Sequence, residues 1–379
     1  MPADRRIVLF GATGYTGRLT AEALIRAGTR PVLAGRNRER LQSLADQLAS
    51  GVVDSTPIEV ATADVTDPAS VAALLSPGDV LVSTVGPFLE LGEPAVQAAL
   101  AARASYLDST GEPPFVRTVF QTYGPRAADA GAGLLPAFGY DYVPGNLAAG
   151  LVLEQAGAAA TRVDVGYFTT GPMDTSSASS GTAASMAGIL FETGFVWRNS
   201  RLEPARTAAT VRSFTVDGQR RSGISLAGSE HLALPRIAPQ LEDVNVYLGW
   251  TGPLSRPVQV GSLLLDGVRR LPAVADGLRR ALRRYRPAPG AGPDEAARAA
   301  TGSIVVAHAY DGDGRLLAHV VLRGPNGYAL TGDLLAWGAR QALDEPLPPG
   351  ALGPVDAFGL ERLTKGCAEL GLVADQPAA

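Results

Sequence analysis

The sequence is poor in the residues that form disulfides, metal sites and lysine-based catalytic groups. Cys367 is the only cysteine among 379 residues, and Lys365 is the only lysine. One thiol cannot form an internal disulfide or a cysteine-rich metal site, and this usage fits a reducing cytoplasm. His231, His308 and His319 lie far apart and match no metal-binding spacing. We therefore expect a cytoplasmic protein without a metal ion.

The scarcity of lysine also excludes one common dehydrogenase chemistry. Short-chain dehydrogenases pair a tyrosine with a lysine four residues later, and no tyrosine precedes Lys365 at that spacing. Lysine-based acid–base and Schiff-base catalysis are disfavoured for the same reason.

Runs of basic or apolar residues are absent as well. The net charge is −4 and no basic run occurs, which argues against a nucleic-acid partner. No stretch reaches the ~20 apolar residues of a membrane span. Arg5 and Arg6 lead directly into an apolar strand, so we expect no signal peptide. A length of 379 residues, 46% of them hydrophobic, is enough for two domains.

The most informative segment is a glycine-rich turn between a short apolar strand, residues 7–10, and a helical pattern. Gly11, Gly14 and Gly17 have the spacing G-x-x-G-x-x-G. Gly11 permits a tight turn, Gly14 keeps a Cβ away from a pyrophosphate, and Gly17 allows close packing of helix on strand. The N–H groups of the helix then face the phosphates. The predicted cofactor contacts here are Gly11, Thr13, Gly14, Tyr15, Thr16 and Gly17.

The end of the second predicted strand favours NADP over NAD. An NAD site usually has an acidic residue here, whereas this chain has Gly35 followed by Arg36, Asn37 and Arg38. Guanidinium groups match a 2′-phosphate. The alternative is that these are ordinary surface charges, but arginine is unfavourable at the start of a helix. We predict contacts from Arg36, Asn37 and Arg38, and from Asp64 after the third strand, unless Asp64 caps a helix.

The first part of the chain alternates strands and helices, which predicts an α/β fold with a Rossmann-type doubly wound parallel sheet. Ligands of such sheets bind at the carboxyl ends of the strands. The predicted cofactor contacts at the end of the fourth strand are Thr84, Val85, Gly86 and Pro87. The predicted substrate contacts in the loops around residues 84–146 are Phe88, Asp108, Thr110, Glu112 and Tyr140. Asp108 and Glu112 have the alternative of a turn or cap.

Beyond residue 160 the pattern predicts a second, α+β domain that is mostly antiparallel. The predicted strands cover residues 161–170, 207–217, 241–250, 303–310 and 316–322, with a hairpin turn at 311–314. Helices are predicted at 181–193 and 261–284, and a loop at 286–293. We thus expect an NADP-binding domain (1–155), a substrate and dimerisation domain (156–326), and C-terminal helices (327–379) that return to the first domain. The apolar stretch 186–197 fits a core helix, the face of a homodimer or a pocket wall.

Several segments together resemble the saccharopine dehydrogenase-like reductases, in particular the trans-acting enoyl reductase branch. They are residues 11–17, 34–37, 83–88, 106–112 and 139–145, with a further match at 180–184. The resemblance implies NADPH-dependent reduction of a largely apolar small molecule, acyl- or polyketide-derived and free or bound to a carrier protein or CoA. The expected reaction is hydride transfer to a C=C bond. Reduction of a C=N bond, as in saccharopine reductases, is the alternative.

Such a reduction also needs a proton from a side chain or from water. Tyr142 and Asp141 are the leading candidates, followed by Tyr140, and His231 is a weaker one. The phenols could instead pack against the cofactor, and Asp141 could cap the helix that begins near Pro144. Because the sequence has no sharp catalytic constellation, a non-catalytic NADP-binding sensor or scaffold is the competing hypothesis.

Overall fold

The computed structural model describes residues 5–50, 56–172, 193–249, 254–269 and 292–375. In this part of the chain, no helix is long and apolar enough to cross a membrane. No group of three histidine, cysteine or acidic side chains within the described ranges is arranged to hold a metal ion.

The first sheet has seven strands, all paired in parallel. They are β1 (Ile7–Phe10), β2 (Val32–Gly35), β3 (Val60–Thr62), β4 (Val80–Ser83), β5 (Ser105–Asp108), β6 (Gly133–Leu135) and β15 (Gly350–Ala351). Their order in space is β15-β6-β5-β4-β1-β2-β3. The doubly wound parallel sheet is therefore confirmed, and its strand order reverses between β1 and β4. Ligands of open α/β sheets bind in the crevice at such a reversal.

The helices that accompany this sheet follow the predicted alternation. They are α1 (Tyr15–Arg26), α2 (Arg38–Ser50), α3 (Pro68–Ala72), α4 (Phe88–Leu91), α5 (Glu93–Ala102), α6 (Pro113–Thr118), a π-helical turn (Val119–Tyr123), α7 (Gly124–Ala130) and α8 (Val143–Ala156). All four residues of β1 are buried, as expected for a parallel strand covered on both faces. Gly28 has a φ of +74° just beyond α1, which is how glycine commonly ends a helix.

The second sheet has nine strands and is mostly antiparallel, as predicted. They are β7 (Arg162–Thr170), β8 (Gly194–Arg198), β9 (Arg201–Ala205), β10 (Val211–Val216), β11 (Gln219–Ser225), β12 (Asp243–Leu248), β13 (Gly302–Tyr310), β14 (Leu316–Pro325) and β16 (Val373–Ala374). Among the described strands of this second sheet, only β12 and β7 are paired in parallel. The predicted hairpin turn joins β13 to β14, where the Asp311 carboxylate accepts a hydrogen bond from the Arg315 N–H at 2.8 Å.

Helices of the second half connect the two sheets. They are a 3-10 turn (Gly157–Ala159), α9 (Glu230–Ile237), α10 (Ser255–Arg269), α11 (Glu295–Ala299), α12 (Gly327–Asp344), α13 (Pro354–Phe358) and α14 (Leu360–Glu369). Helix α8 packs on β7, β13 and β14, and α12 packs on α1, β4 and β5. The chain therefore returns to the first sheet after completing most of the second. The predicted domain limits at residues 155 and 326 stay a prediction.

Some predicted elements differ from the structure. Residues 194–197, the end of the apolar stretch 186–197, lie in β8, so a core helix is wrong for them. The rest of that stretch, most of the predicted helix 181–193, the end of the helix 261–284 and most of the loop 286–293 lie outside the described residues. The elements that were not predicted include strands β8, β9, β11, β15 and β16 and helices α9 and α11.

Candidate active site

In the turn after β1, each of the three glycines is needed for a different steric reason. Gly11 has a φ of +89°, and a Cβ there would lie 2.7 Å from the Thr84 Oγ1. A Cβ on Gly17 would lie 2.3 Å from the Gly11 carbonyl oxygen, so helix and strand could not approach as they do. A Cβ on Gly14 would meet only that carbonyl oxygen, at 3.2 Å. The space beyond Gly14 is therefore open, and the turn fits a pyrophosphate.

The loop after β4 lies beside this turn, across the point where the strand order reverses. The Thr84 hydroxyl donates to the carbonyl oxygens of Phe10 and Gly11, at 3.2 and 3.1 Å. Val85, Gly86 and Pro87 then lead into α4. The predicted cofactor contacts of the two loops are thus brought together at one edge of the sheet.

Glu112 holds the start of α4. Its carboxylate oxygens accept hydrogen bonds from the backbone N–H groups of Phe88 (2.8 Å) and Leu89 (3.0 Å). The side chains of Phe88 and Glu112 are buried. The contacts favour the capping alternative over a substrate contact for Glu112.

Arg36, Asn37 and Arg38 follow β2 and are exposed. The Asn37 side chain accepts a hydrogen bond from the Arg40 N–H at 2.9 Å, so it helps to begin α2. Hydrogen bonds from Thr66 lower the pKa of Asp64, and the nearby Arg36 lowers it further. The cap of α3 is Asp67, whose carboxylate accepts from the Ala69 N–H. Both arginines remain available at the edge where a 2′-phosphate is expected.

Asp108 joins β5 to the loop that follows β6. Its carboxylate accepts hydrogen bonds from the Thr110 N–H (2.9 Å), the Ala137 N–H (2.8 Å) and the Tyr106 hydroxyl (2.7 Å). The Thr110 hydroxyl accepts from the Glu112 N–H at 3.1 Å. Burial raises the pKa of Asp108 to about 6. With three donors around its carboxylate, Asp108 fixes the framework of the site.

The two tyrosines of the loop after β6 are buried. The Tyr142 hydroxyl lies 3.3 Å from the Gly111 carbonyl oxygen and 3.4 Å from that of Ala227, so it can donate to either. Burial raises the pKa of Tyr142 well above its ordinary value. The Tyr140 hydroxyl has no hydrogen-bond partner within the described ranges. Its ring makes an edge contact with Tyr167, with 5.6 Å between centroids.

Asp141 lies between these tyrosines and differs from the acids around it. It is half-buried, and among the described residues its carboxylate has neither a hydrogen bond nor an ion pair. A Cβ on Gly111 would lie 3.0 Å from its Oδ2, so the carboxyl group faces the loop after β5. No side chain caps α8, and the capping alternative for Asp141 is not observed. Burial raises the pKa of Asp141 to about 6, within the range of a general acid at neutral pH.

Glu230, the first residue of α9, is a buried acid that the sequence analysis did not single out. It accepts a hydrogen bond from the Tyr167 hydroxyl at 2.5 Å, and that hydroxyl accepts from the Gly145 N–H at 2.9 Å. Burial raises the pKa of Glu230 to about 8. The available signal was its place directly before His231. An acidic residue there is also typical of an exposed first turn of a helix, so the sequence could not distinguish the two.

His231 is buried in the second sheet region. Its Nδ1 lies 3.1 Å from both the N and the carbonyl O of Gly228, and its ring contacts Phe195 edge-on. Burial lowers the pKa of His231 to about 4, so the imidazole is neutral at neutral pH. It lines a small cavity with Phe195 and Arg206. A neutral, buried imidazole is a poor proton donor.

The N-terminal part of the chain matches the model of a known protein family. Residues 7–135 match the family model of the saccharopine dehydrogenase NADP binding domain. This part of the chain is therefore similar to an NADP-binding domain, as its motifs indicated.

Named relatives match the same region. A putative trans-acting enoyl reductase of Mycobacterium tuberculosis is 43% identical over 148 residues, which cover 38% of this chain and 35% of that protein. A trans-acting enoyl reductase of Mycobacterium bovis is 40% identical over 150 residues, with the same two shares of 38% and 35%. The match thus spans about a third of the length of these relatives.

Two solved structures show the same fold over nearly the whole chain. Apo saccharopine dehydrogenase (L-Glu forming) from Saccharomyces cerevisiae has a TM-score of 0.60 at 13% identity, covering 99% of this chain and 100% of that one. Homospermidine synthase from Legionella pneumophila, in complex with NAD, has a TM-score of 0.58 at 10% identity, covering 98% and 91%. Both parts of the predicted fold class, the parallel and the mostly antiparallel sheet, are therefore confirmed.

Proposed function

We propose that the protein is an NADPH-dependent reductase of an electron-poor C=C bond in a largely apolar substrate, such as an acyl- or polyketide-derived enoyl or enone. The observation that carries this proposal is the pairing of two features at one sheet edge. The open glycine turn fits the dinucleotide, and Asp141 is an acid without a fixed partner in the loop after β6, at the carboxyl edge of the same sheet. The names of the mycobacterial relatives support the C=C substrate class.

The residues that would hold the cofactor follow from the site. The backbone around Gly14 and the first turn of α1 would bind the pyrophosphate. Arg36 and Arg38 would bind the 2′-phosphate, and residues 84–87 would lie beside the nicotinamide. When bound, NADPH supplies a hydride.

Asp141 would supply the proton. Its carboxyl group would protonate the carbon next to the one that receives hydride, and the resulting carboxylate would recover a proton from water because it is half-buried. Tyr142 is less suited, since its buried hydroxyl is directed to backbone carbonyl oxygens. An imine reductase is the second candidate, because an unpaired carboxylate can also pair with a protonated C=N nitrogen.

Turnover with NADPH deuterated at C4 tests this proposal, using a panel of enones, enoyl thioesters and cyclic imines. We expect NADPH consumption with the enones or thioesters, and deuterium on carbon in the product. Turnover of imines alone would replace the proposal by the second candidate. Tight NADPH binding without any turnover would support the non-catalytic sensor or scaffold.

Two glycine variants test whether the turn after β1 is the site that binds the cofactor phosphates. Gly14→Val should fold but not bind NADPH, because a branched side chain would fill the space that the phosphates need. Gly312→Val is the matched control, since Gly312 lies in the β13–β14 turn and a Cβ there meets nothing within 4 Å. Equal NADPH binding by both variants would show that the turn is not the phosphate site.

A further inference from the structure

Tyr15, the first residue of α1, is held by a segment that leads into the second sheet. Its hydroxyl donates a hydrogen bond to the Pro293 carbonyl oxygen at 2.5 Å. The Nη1 of Arg298 donates to the Tyr15 hydroxyl oxygen at 3.1 Å and to the same Pro293 carbonyl at 2.9 Å. Tyr15, Pro293 and Arg298 thus form a closed set of three contacts, called here the Tyr15 clasp.

The clasp is closely fitted to the tyrosine ring. A Cβ on Gly292 would lie 2.6 Å from the Tyr15 ring, so the backbone at this position lies flat against it. On another side, the ring makes an edge contact with Tyr328 at the start of α12, with 5.3 Å between centroids. The Asn326 side chain, which caps α12, donates to the Thr301 hydroxyl at 2.7 Å. The segment 292–301 is therefore held at Tyr15 by Pro293 and Arg298, and at the cap of α12 by Thr301.

Arg298 places a positive charge beside the phosphate end of α1. The helix N-terminus already carries about half a positive charge, and no acidic residue lies in the first turn of α1. Within the described ranges no carboxylate pairs with Arg298, and only its Nη1 has hydrogen-bond partners. A guanidinium has five N–H donors, so most of them are available. Two positive groups side by side are unfavourable unless an anion lies between them.

We propose that Arg298 is a ligand of the cofactor pyrophosphate, contributed from outside the nucleotide-binding domain, and that the Tyr15 clasp closes over the bound dinucleotide. Tyr15 follows Gly14 directly, so the clasp lies at the turn where the phosphates are expected. Cofactor binding would then strengthen the link that the clasp makes between the segment before β13 and the start of α1. This inference rests on NADPH binding at the glycine turn and does not depend on the substrate.

The test is the affinity of the full chain for NADPH and for 2′-AMP, measured by calorimetry. In Arg298→Ala, NADPH should bind about tenfold more weakly, the usual loss for one charge-assisted contact. The affinity for 2′-AMP, which lacks the pyrophosphate, should stay at the wild-type value. Arg315→Ala is the matched control, because Arg315 is exposed in the β13–β14 turn. It should bind both ligands like the wild type.

Two further variants separate a phosphate ligand from a merely structural residue. Arg298→Lys should recover part of the affinity and keep the salt dependence of NADPH binding, whereas Arg298→Ala should show a weaker salt dependence. Tyr15→Phe removes the hydroxyl of the clasp but keeps the guanidinium, so its loss should be smaller. Arg298→Gln replaces the alanine variant if thermal unfolding shows that the latter does not fold.

Several outcomes would overturn the inference. Wild-type NADPH affinity in Arg298→Ala would do so, as would an equal loss for NADPH and 2′-AMP. If Tyr15→Phe lost as much NADPH affinity as Arg298→Ala, Arg298 would act only by holding the segment 292–301 in place. If the wild type itself bound no NADPH, the cofactor assignment would fall together with the inference, and this result is distinct from an effect of Arg298 alone.

Discussion

Asp141 differs from the other acids of the site because its carboxylate has no hydrogen bond or ion pair among the described residues. Asp108 has three donors, Glu112 two backbone N–H groups, and Glu230 the Tyr167 hydroxyl. Asp108 and Glu112 are held at both carboxylate oxygens and cannot turn toward a substrate. Glu230 has no partner for its Oε2 within the described ranges, but its side chain is fully buried. Among the described acids of the site, Asp141 is the half-buried one whose carboxyl group has neither a hydrogen bond nor an ion pair, so it is the acid that a substrate can reach.

This difference predicts the effect of changing Asp141. Asp141→Asn should lower kcat about 100-fold, the usual contribution of a general acid, with NADPH affinity unchanged. Because the acid must be protonated to act, the wild-type kcat/KM should fall as pH rises through the pKa of Asp141, which is about 6. The asparagine variant should lack this fall. Stopped-flow rates between pH 5 and 8 (roughly the range around a general acid's pKa) check both points.

Tyr142→Phe is the control for this prediction. The phenylalanine ring keeps the packing and removes only the hydroxyl, so the rate should change little. A 100-fold loss (about the size expected for a lost acid) in Tyr142→Phe, with full activity in Asp141→Asn, would assign the proton to the phenol instead.

At the scale of elements, the parallel sheet could be predicted because its strands are short apolar runs at regular intervals. The apolar run at residues 7–10, for example, was predicted as a strand and has the same bounds as β1 in the structure. Strands β9 and β11 were missed because one contains a proline and the other, Gln219–Ser225, is mostly polar. Strand β15 has only two residues and no pattern to detect.

The partners of the site residues could not be read from the sequence, because they come from distant positions. Glu112 caps a helix 24 residues before it, and Asp108 binds an N–H group 29 residues after it. Arg298 contacts Tyr15 across 283 residues. Sequence spacing identified which loops meet at the sheet edge, but the fold decides which side chains are occupied there.

The cap of α4 gives a prediction about this element. In Glu112→Gln, one amide N–H₂ group replaces a carboxylate oxygen and would face a backbone N–H group instead of accepting from it. We expect the free energy of unfolding to fall by about 1–3 kcal/mol, the cost of a buried donor left without an acceptor. Urea unfolding followed by circular dichroism measures it. Glu93→Gln, at the exposed start of α5, is the comparison and should change stability less.

At the scale of the whole molecule, the first sheet is built from distant parts of the chain. The Gly350 and Leu352 N–H groups donate to the carbonyl oxygens of Ala132 and Leu134, at 2.9 and 2.8 Å, which attaches β15 to β6. Helix α12, which directly precedes β15 in the sequence, packs on α1. The first sheet therefore depends on residues that follow most of the second sheet in sequence.

Proline substitution tests this dependence. Leu352→Pro removes one donor of the β15–β6 pairing and a buried side chain, so it should lower the free energy of unfolding by about 2–5 kcal/mol. Val373→Pro makes a comparable change in the two-residue β16 of the second sheet, where Val373 is exposed, and should cost less. Equal losses in thermal unfolding would contradict the special role of β15.

The position of β15 also has a consequence for biosynthesis. A ribosome adds about 5–20 residues per second, so roughly 10–40 s separate the synthesis of β6 from that of its neighbour β15. During that interval the nascent chain carries the edge of β6 without its strand partner, and such edges are prone to pair with other chains. The glycine turn leaves the ribosome early, yet the sheet that supports it is completed only when residue 351 arrives. Chaperone binding to arrested nascent chains should therefore persist until that point.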